Sequence, residues 1–205
     1  MRGDVYLVYH DPGSPKGLDI IKMMINIVGE ASATRIHAIP ISNVERSNAP
    51  FNKDSMVYAL FAFRGGHLAT ILDRVRASGA CYLGKPSIKL IARGLSRCLY
   101  NCDSILVFYW KAKRFVEEQV QDVMELASLL SNMTKAKVRI SPNMKNNGGE
   151  DCIIVTSFMP GRLTDRALTI YGSRVVIPYL LSCVMNDVAL DIVTRIKMGC
   201  RKAKS

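Results

Sequence analysis

The chain has 205 residues, with 28 Lys and Arg against 17 Asp and Glu, giving a net charge of +11 at pH 7. A hydrophobic share of 49 % with 22 % charged residues excludes wholesale disorder. The longest apolar stretch, Val175 to Met185, falls short of the roughly 18 residues a membrane span needs.

In chain order, apolar periodicity alternates strands with helices. Val5 to Tyr9 is a continuous apolar run closed by a His-Asp-Pro-Gly-Ser-Pro turn, which predicts a strand and its exit. Leu18 to Val28 has helical spacing and is expected to stop at Gly29. Arg35 to Ser42 predicts a second strand, and residues 43–55 a polar loop with room for one helical turn. Met56 to Phe63 predicts a third strand, broken by Arg64-Gly65-Gly66, with a helix over His67 to Ala77 ended by Gly79. Ala80 to Gly84 then reads as a strand and Ser87 to Leu99 as a helix.

The second half follows the same order. Strands are predicted over Ser104 to Trp110, Lys137 to Ile140, Asp151 to Phe158 and Arg174 to Leu181. Helices are predicted over Phe115 to Met133, Arg162 to Ile170 and Asn186 to Ile196, with a polar loop at 141–150. Residues 61–74 align with residues 156–169, setting Phe63 opposite Phe158, Gly66 opposite Gly161 and Leu68 opposite Leu163. Such internal repetition is an architectural signal. Strand–helix alternation with buried-looking strands implies parallel sheets covered on both faces. The expected fold is therefore α/β, with two flavodoxin-like halves, 1–99 and 100–205, each a four-stranded parallel sheet related to the other by a pseudo-twofold.

Six cysteines are scattered along the chain, and only Cys98 and Cys102 are close, at i and i+4. That spacing fits a helix face better than a disulfide framework or a zinc knuckle. The apolar stretch in MRGDVYLVYH is too brief for a secretory signal, so a soluble, cytoplasmic chain with no membrane partner is expected.

In open parallel sheets, ligands bind at the carboxyl ends of the strands. Two of the three histidines lie there, His10 after the first strand and His67 after the third. Imidazole is both a ligand for late first-row divalent metals and a base near neutral pH. His37 falls inside a strand with no partner and reads as structural. Asp11 and Glu45 are weaker candidates to assist a metal, the first because Asp-Pro-Gly is a common turn, the second because it lies in a polar loop. In the second half Arg162 takes the position of His67, Tyr109 or Trp110 that of His10, and Lys111, Lys113 and Arg114 follow. One half thus offers nitrogen ligands and the other offers cations, a division suited to a ligand with a metal at its centre and carboxylates around its rim. Aromatic residues make up only 7 % of the chain, and without a stacking signature or known motif nucleic acid is not the expected partner. The basic tail from Lys197 to Lys204 reads as a solvated end.

These residues carry a family resemblance. The chain resembles the class II, ATP-independent chelatases of the CbiX type, the sirohydrochlorin cobaltochelatases, in their long, duplicated form. The stretch Val8-Tyr9-His10-Asp11-Pro12-Gly13-Ser14 matches that family's first strand and its Gly-His-Gly-Ser exit, and Ala59 to Phe63 followed by Arg64-Gly65-Gly66-His67 matches the third strand and its histidine. Leu83-Gly84-Lys85-Pro86 matches a later Leu-Gly-x-Pro turn. The resemblance implies that His10 and His67 hold an incoming divalent ion and accept the pyrrole protons. It implies a substrate, sirohydrochlorin, with about eight carboxylates, which suits a strongly positive chain. Cobalt is the implied metal, with nickel or iron as further possibilities and no ATP; the setting would be cobalamin or other tetrapyrrole biosynthesis, and the state a monomer with an internal pseudo-dimer. Lys111, Lys113, Arg114 and Arg162 are the expected substrate-binding cations. The alternative is a non-catalytic tetrapyrrole- or metal-binding protein of the same fold.

Overall fold

A computed structural model describes residues 3–12, 14–46, 49–142 and 149–199. Gly13 of the first turn, parts of the loops at 43–55 and 141–150, Cys200 and the basic tail beyond Gly199 lie outside the described residues.

The first sheet contains β1 (Val5–Tyr9), β2 (Ile36–Pro40), β3 (Met56–Leu60) and β4 (Cys81–Gly84), in the order β2-β1-β3-β4. The second contains β5 (Ser104–Phe108), β6 (Lys137–Ser141), β7 (Cys152–Val155) and β8 (Val175–Ile177), in the order β6-β5-β7-β8. Every strand pair is parallel. The helices are α1 (Pro15–Ser32), α2 (Ile41–Glu45), α3 (Gly66–Ser78), α4 (Ile88–Cys98), α5 (Val116–Thr134), α6 (Arg162–Tyr171) and α7 (Leu181–Met198).

Strand periodicity sorts the side chains into layers. Val5, Leu7, Tyr9, Tyr58 and Leu60 face a central core shared with Ile105, Val107 and Ile154 of the other sheet. Tyr6, Val8, Val57 and Ala59 face a separate core under α2 and α3, while Leu106, Phe108, Ile153 and Val155 face a third under α6. Two sheets therefore sandwich α1, α4, α5 and α7. Helix pairing across the middle is reciprocal: α1 packs on α7, α5 on α4, and α4 meets α7 between them, as a pseudo-twofold requires. At the α4–α7 contact a Cβ on Gly94 would lie 2.6 Å from Val184 Cγ1, so this approach needs glycine. Polar bonds also cross the middle. The buried Tyr58 hydroxyl donates to Asp191 at 2.7 Å, and Arg195 Nη1 donates to the Leu83 carbonyl at 2.7 Å. Burial, then the Asp191 charge, pushes the Tyr58 phenol well up.

Several boundaries differ from expectation. Helix α1 starts at Pro15, with Ser14 capping the Gly17 amide, and runs past Gly29 to Ser32; Ala33 takes the left-handed turn instead. Strand β2 stops at Pro40 rather than Ser42 because Ile41–Glu45 coils into α2. The last strand is only Val175–Ile177, and α7 begins at Leu181, five residues before Asn186.

The cysteine expectation is corrected outright. Cys98 of α4 is bonded to Cys183 of α7, and Cys102 to Cys152 of β7, with Cα separations of 6.3 and 5.9 Å. Cys81 is disulfide-bonded as well, and no described cysteine is a free thiol. The partners come from distant elements that packing brings together, so spacing along the sequence could not show them. Among the described residues, no helix is long and apolar enough to cross a membrane.

Candidate functional site

Strands β1 and β3 are adjacent and in register, with Tyr9 beside Leu60, so the residues leaving them emerge side by side. His10 is the first residue beyond β1, and His67 is the second residue of α3. Their rings meet edge to face with centroids 5.3 Å apart, and Phe61 flanks His67 at 5.9 Å.

Each imidazole has a partner that fixes its tautomer. His10 Nδ1 lies 3.3 Å from the Asp11 carbonyl oxygen, and His67 Nδ1 lies 2.8 Å from Glu45 Oε1. A carbonyl and a carboxylate only accept, so in the neutral rings Nδ1 carries the proton and each Nε2 keeps its lone pair. Imidazole nitrogens bind late divalent metals at about 2.0–2.1 Å, so two on one ion lie no more than about 4 Å apart. Centroids 5.3 Å apart are compatible with that separation when both rings turn Nε2 toward one point. Among the described residues no group of three or more His, Cys, Asp or Glu side chains is placed to hold a metal.

Glu45 reaches His67 because α2 carries it there, and Asp11 fastens α2. The Asp11 carboxylate accepts from the Ser42 amide at 3.2 Å and from the Ser42 hydroxyl at 2.7 Å. Asp11 thus serves the short helix. Glu45, which sequence reasoning names only as a weak helper, is the carboxylate that orients a ring. His37 sits on β2, stacked on Tyr6 at 5.1 Å, with Nε2 3.4 Å from Asp4.

The turn that delivers His67 is held from the other half of the chain. Asp122 of α5, only 6 % exposed, accepts from the Arg64 amide at 2.8 Å and from Arg64 Nε and Nη2 at 3.0 and 2.8 Å. Lys85 donates to the Ala62 carbonyl at 2.9 Å and lies 3.9 Å from Asp122. Burial pushes the Lys85 ammonium down from its ordinary value, an effect the Asp122 charge opposes. The hydrogen bond to Asp122 raises the Arg64 guanidinium. Sequence reasoning missed Asp122. The signal was there: Gln119 and Asp122 share the buried face of α5 with Val123, Leu126 and Leu130, where polar side chains need partners.

Lys111, Lys113 and Arg114 are exposed on the loop between β5 and α5. Buried Gln119 pins that loop, accepting from the Ala112 amide at 2.7 Å and donating to the Trp110 carbonyl at 2.9 Å. The loop lies against the histidine turn, since a Cβ on Gly65 would lie 3.5 Å from Ala112 Cβ and one on Gly66 would lie 3.9 Å from Arg114 Cβ. Arg162 is exposed at the first position of α6. The structure therefore brings together His10, His67 and Glu45 and sets Arg114 beside their turn, while Lys111, Lys113 and Arg162 are exposed.

No protein-family model and no curated protein matches the sequence. Solved structures do match. Sirohydrochlorin chelatase SirB from Bacillus subtilis subspecies spizizenii in complex with cobalt has a TM-score of 0.66 at 14 % identity, covering 96 % of each chain. SirB from Bacillus subtilis with Fe3+ has a TM-score of 0.67 at 11 % identity, covering 100 % of this chain and 98 % of that one. CbiX, described as the terminal enzyme for siroheme biosynthesis in denitrifying bacteria, has a TM-score of 0.66 at 16 % identity, covering 97 % and 99 %. This chain has the fold of the sirohydrochlorin chelatases.

Proposed function

We propose that this chain inserts a divalent metal ion into sirohydrochlorin without ATP, releasing two protons per ion. The observation that carries the reading is the His10–His67 pair, 5.3 Å apart at the carboxyl edge of a parallel sheet, with Glu45 on the far nitrogen of one ring. The metal is a substrate here, with cobalt the first candidate and nickel or iron next; relatives in fold were solved with cobalt and with Fe3+.

Insertion needs a group that holds the ion loosely and a base for the pyrrole N–H protons. The free Nε2 atoms of His10 and His67 serve both ends. They ligate the arriving ion in place of water, and they take protons as the ring nitrogens replace them. Glu45, accepting from His67 Nδ1, orients that ring and sets a carboxylate beside the imidazolium formed on proton uptake. In this reading residues 1–99 handle metal and protons, while residues 100–205 supply Lys111, Lys113, Arg114 and Arg162 to the substrate's carboxylates. Charge complementarity between a +11 chain and a polycarboxylate supports the choice of substrate.

The test follows the absorbance of metal-free sirohydrochlorin with purified protein and Co2+, Ni2+ or Fe2+ against a protein-free control. The expected result is accelerated insertion with at least one metal. His10→Ala and His67→Ala are each expected to lose at least about 10²-fold in rate while remaining folded. A wild type no faster than the control with all three metals overturns the enzymatic reading; ring binding without turnover would make the chain a carrier.

A further inference from the structure

The β5–α5 loop holds two residues that the reaction above does not use. Trp110, the only tryptophan, is 60 % exposed, and Phe115 is 44 % exposed. They bracket Lys111, Lys113 and Arg114. Phe115 also adopts φ 57° and ψ 43°, the left-handed region, at the N-cap of α5. A side chain with a Cβ is disfavoured in that conformation, and an N-cap ordinarily takes an extended Ser, Thr, Asp or Asn. A costly backbone that holds an apolar ring in water is the kind of strain found where a ligand is met.

The loop is also pinned and well placed. Gln119 fastens it at Trp110 and Ala112, and its far side touches Gly65 and Gly66, next to His67. Cations alone would suit any anion. Two exposed aromatic rings among three cations suit an anion that is flat and conjugated.

We propose that Trp110 and Phe115 form a stacking platform for a planar polycarboxylate ring, with Lys111, Lys113 and Arg114 meeting its carboxylates. This rests on the chelatase reading and deepens it, because it names the residues that set substrate affinity apart from those that handle metal and protons.

The test measures binding of two metal-free rings, sirohydrochlorin and uroporphyrin, from the change in ring absorbance, together with KM and kcat for insertion. Phe115→Gly removes the ring at a position where glycine relieves the backbone, so the variant is expected to fold. Trp110→Leu is the second loop variant. Tyr100→Leu is the control, since Tyr100 is 78 % exposed just before β5, at the opposite end of the strand. Both loop variants are expected to weaken ring binding and raise KM about tenfold, with kcat held within about twofold. Tyr100→Leu is expected to change neither, and His10→Ala to lose kcat while keeping ring affinity. Insertion by the wild type with KM indifferent to both loop variants overturns the platform and leaves the chelatase reading standing. Loop-dependent ring binding with no insertion of any metal upholds the platform and overturns the chelatase reading. A wild type that binds neither ring overturns both.

Discussion

At the carboxyl end of β3 the first half presents Arg64-Gly65-Gly66-His67, and at the same end of β7 the second presents Met159-Pro160-Gly161-Arg162. The two turns leave equivalent strands and open equivalent helices, yet they are fastened differently. The second turn is tied mainly within its own half: Ser157 Oγ donates to the Met159 carbonyl at 2.8 Å, the Leu180 amide to the Ser157 carbonyl at 2.7 Å, and Thr164 Oγ to the Pro178 carbonyl at 2.9 Å. The first is gripped across the middle by Asp122 of α5 and from β4's exit by Lys85. One half thus carries the histidine pair while the other helps to support its turn. A turn that holds an imidazole in place gains from an anchor on a packed helix.

Making the halves alike is the sharpest way to break that contrast. His67→Arg copies Arg162 into the first half. Because His67 is half-exposed, the fold is expected to persist by circular dichroism, while metal insertion into sirohydrochlorin falls by at least about 10²-fold for want of the second neutral base. An active His67→Arg enzyme would mean that the difference between the halves is not the chemical one.

Removing the anchor comes next in size. Asp122→Asn leaves Arg64 and buried Lys85 without their counter-charge. Breaking a buried ion pair from one side costs about 3–5 kcal/mol, and the 42 % exposure of the Arg64 side chain points to the low end, about 3 kcal/mol. Urea unfolding checks the stability. A midpoint shift worth less than about 0.5 kcal/mol would mean that the turn does not depend on the second half.

The contrast also explains what could be read from the sequence. Strand β1 was legible to the residue because Val5–Tyr9 is buried throughout and bounded by polar residues. The histidine pair was legible because strand ends are, and because β1 and β3 are neighbours in this topology. What escaped depends on contacts far along the chain. Helix α2 forms where Asp11, 31 residues earlier, takes the Ser42 amide and hydroxyl, so Arg35 to Ser42 looked like a longer strand. Asp122 reaches Arg64 across 58 positions, and Cys98 reaches Cys183 across 85. Gly29 looked like a helix end but sits in the body of α1, where a Cβ would meet only ordinary contacts.

The smallest expected effect lies at the opposite edge of the sheets. Asp151 directly precedes β7, and its carboxylate accepts from the Ser104 hydroxyl, from the Ser104 amide at 2.8 Å and from the Asp103 amide at 2.9 Å. Those bonds, the Ser104 hydroxyl foremost, lower its pKa to about 2. The matching position before β3 is Ser55, an uncharged side chain whose hydroxyl accepts from the Asn52 amide at 3.0 Å. A carboxyl whose folded pKa lies below its unfolded value of about 3.9 stabilises fully above that value and loses its contribution as pH falls toward the folded one. The loss is therefore confined to about pH 4 down to pH 2, and to the second half. NMR titration of the Asp151 carboxyl, with amide exchange at Asp103 and Ser104, is expected to show loosening in that window while the Asn52–Ser55 turn stays unchanged. In Asp151→Asn the step should disappear. A carboxyl titrating near 3.9 would mean that the two strand starts are held alike despite their different chemistry.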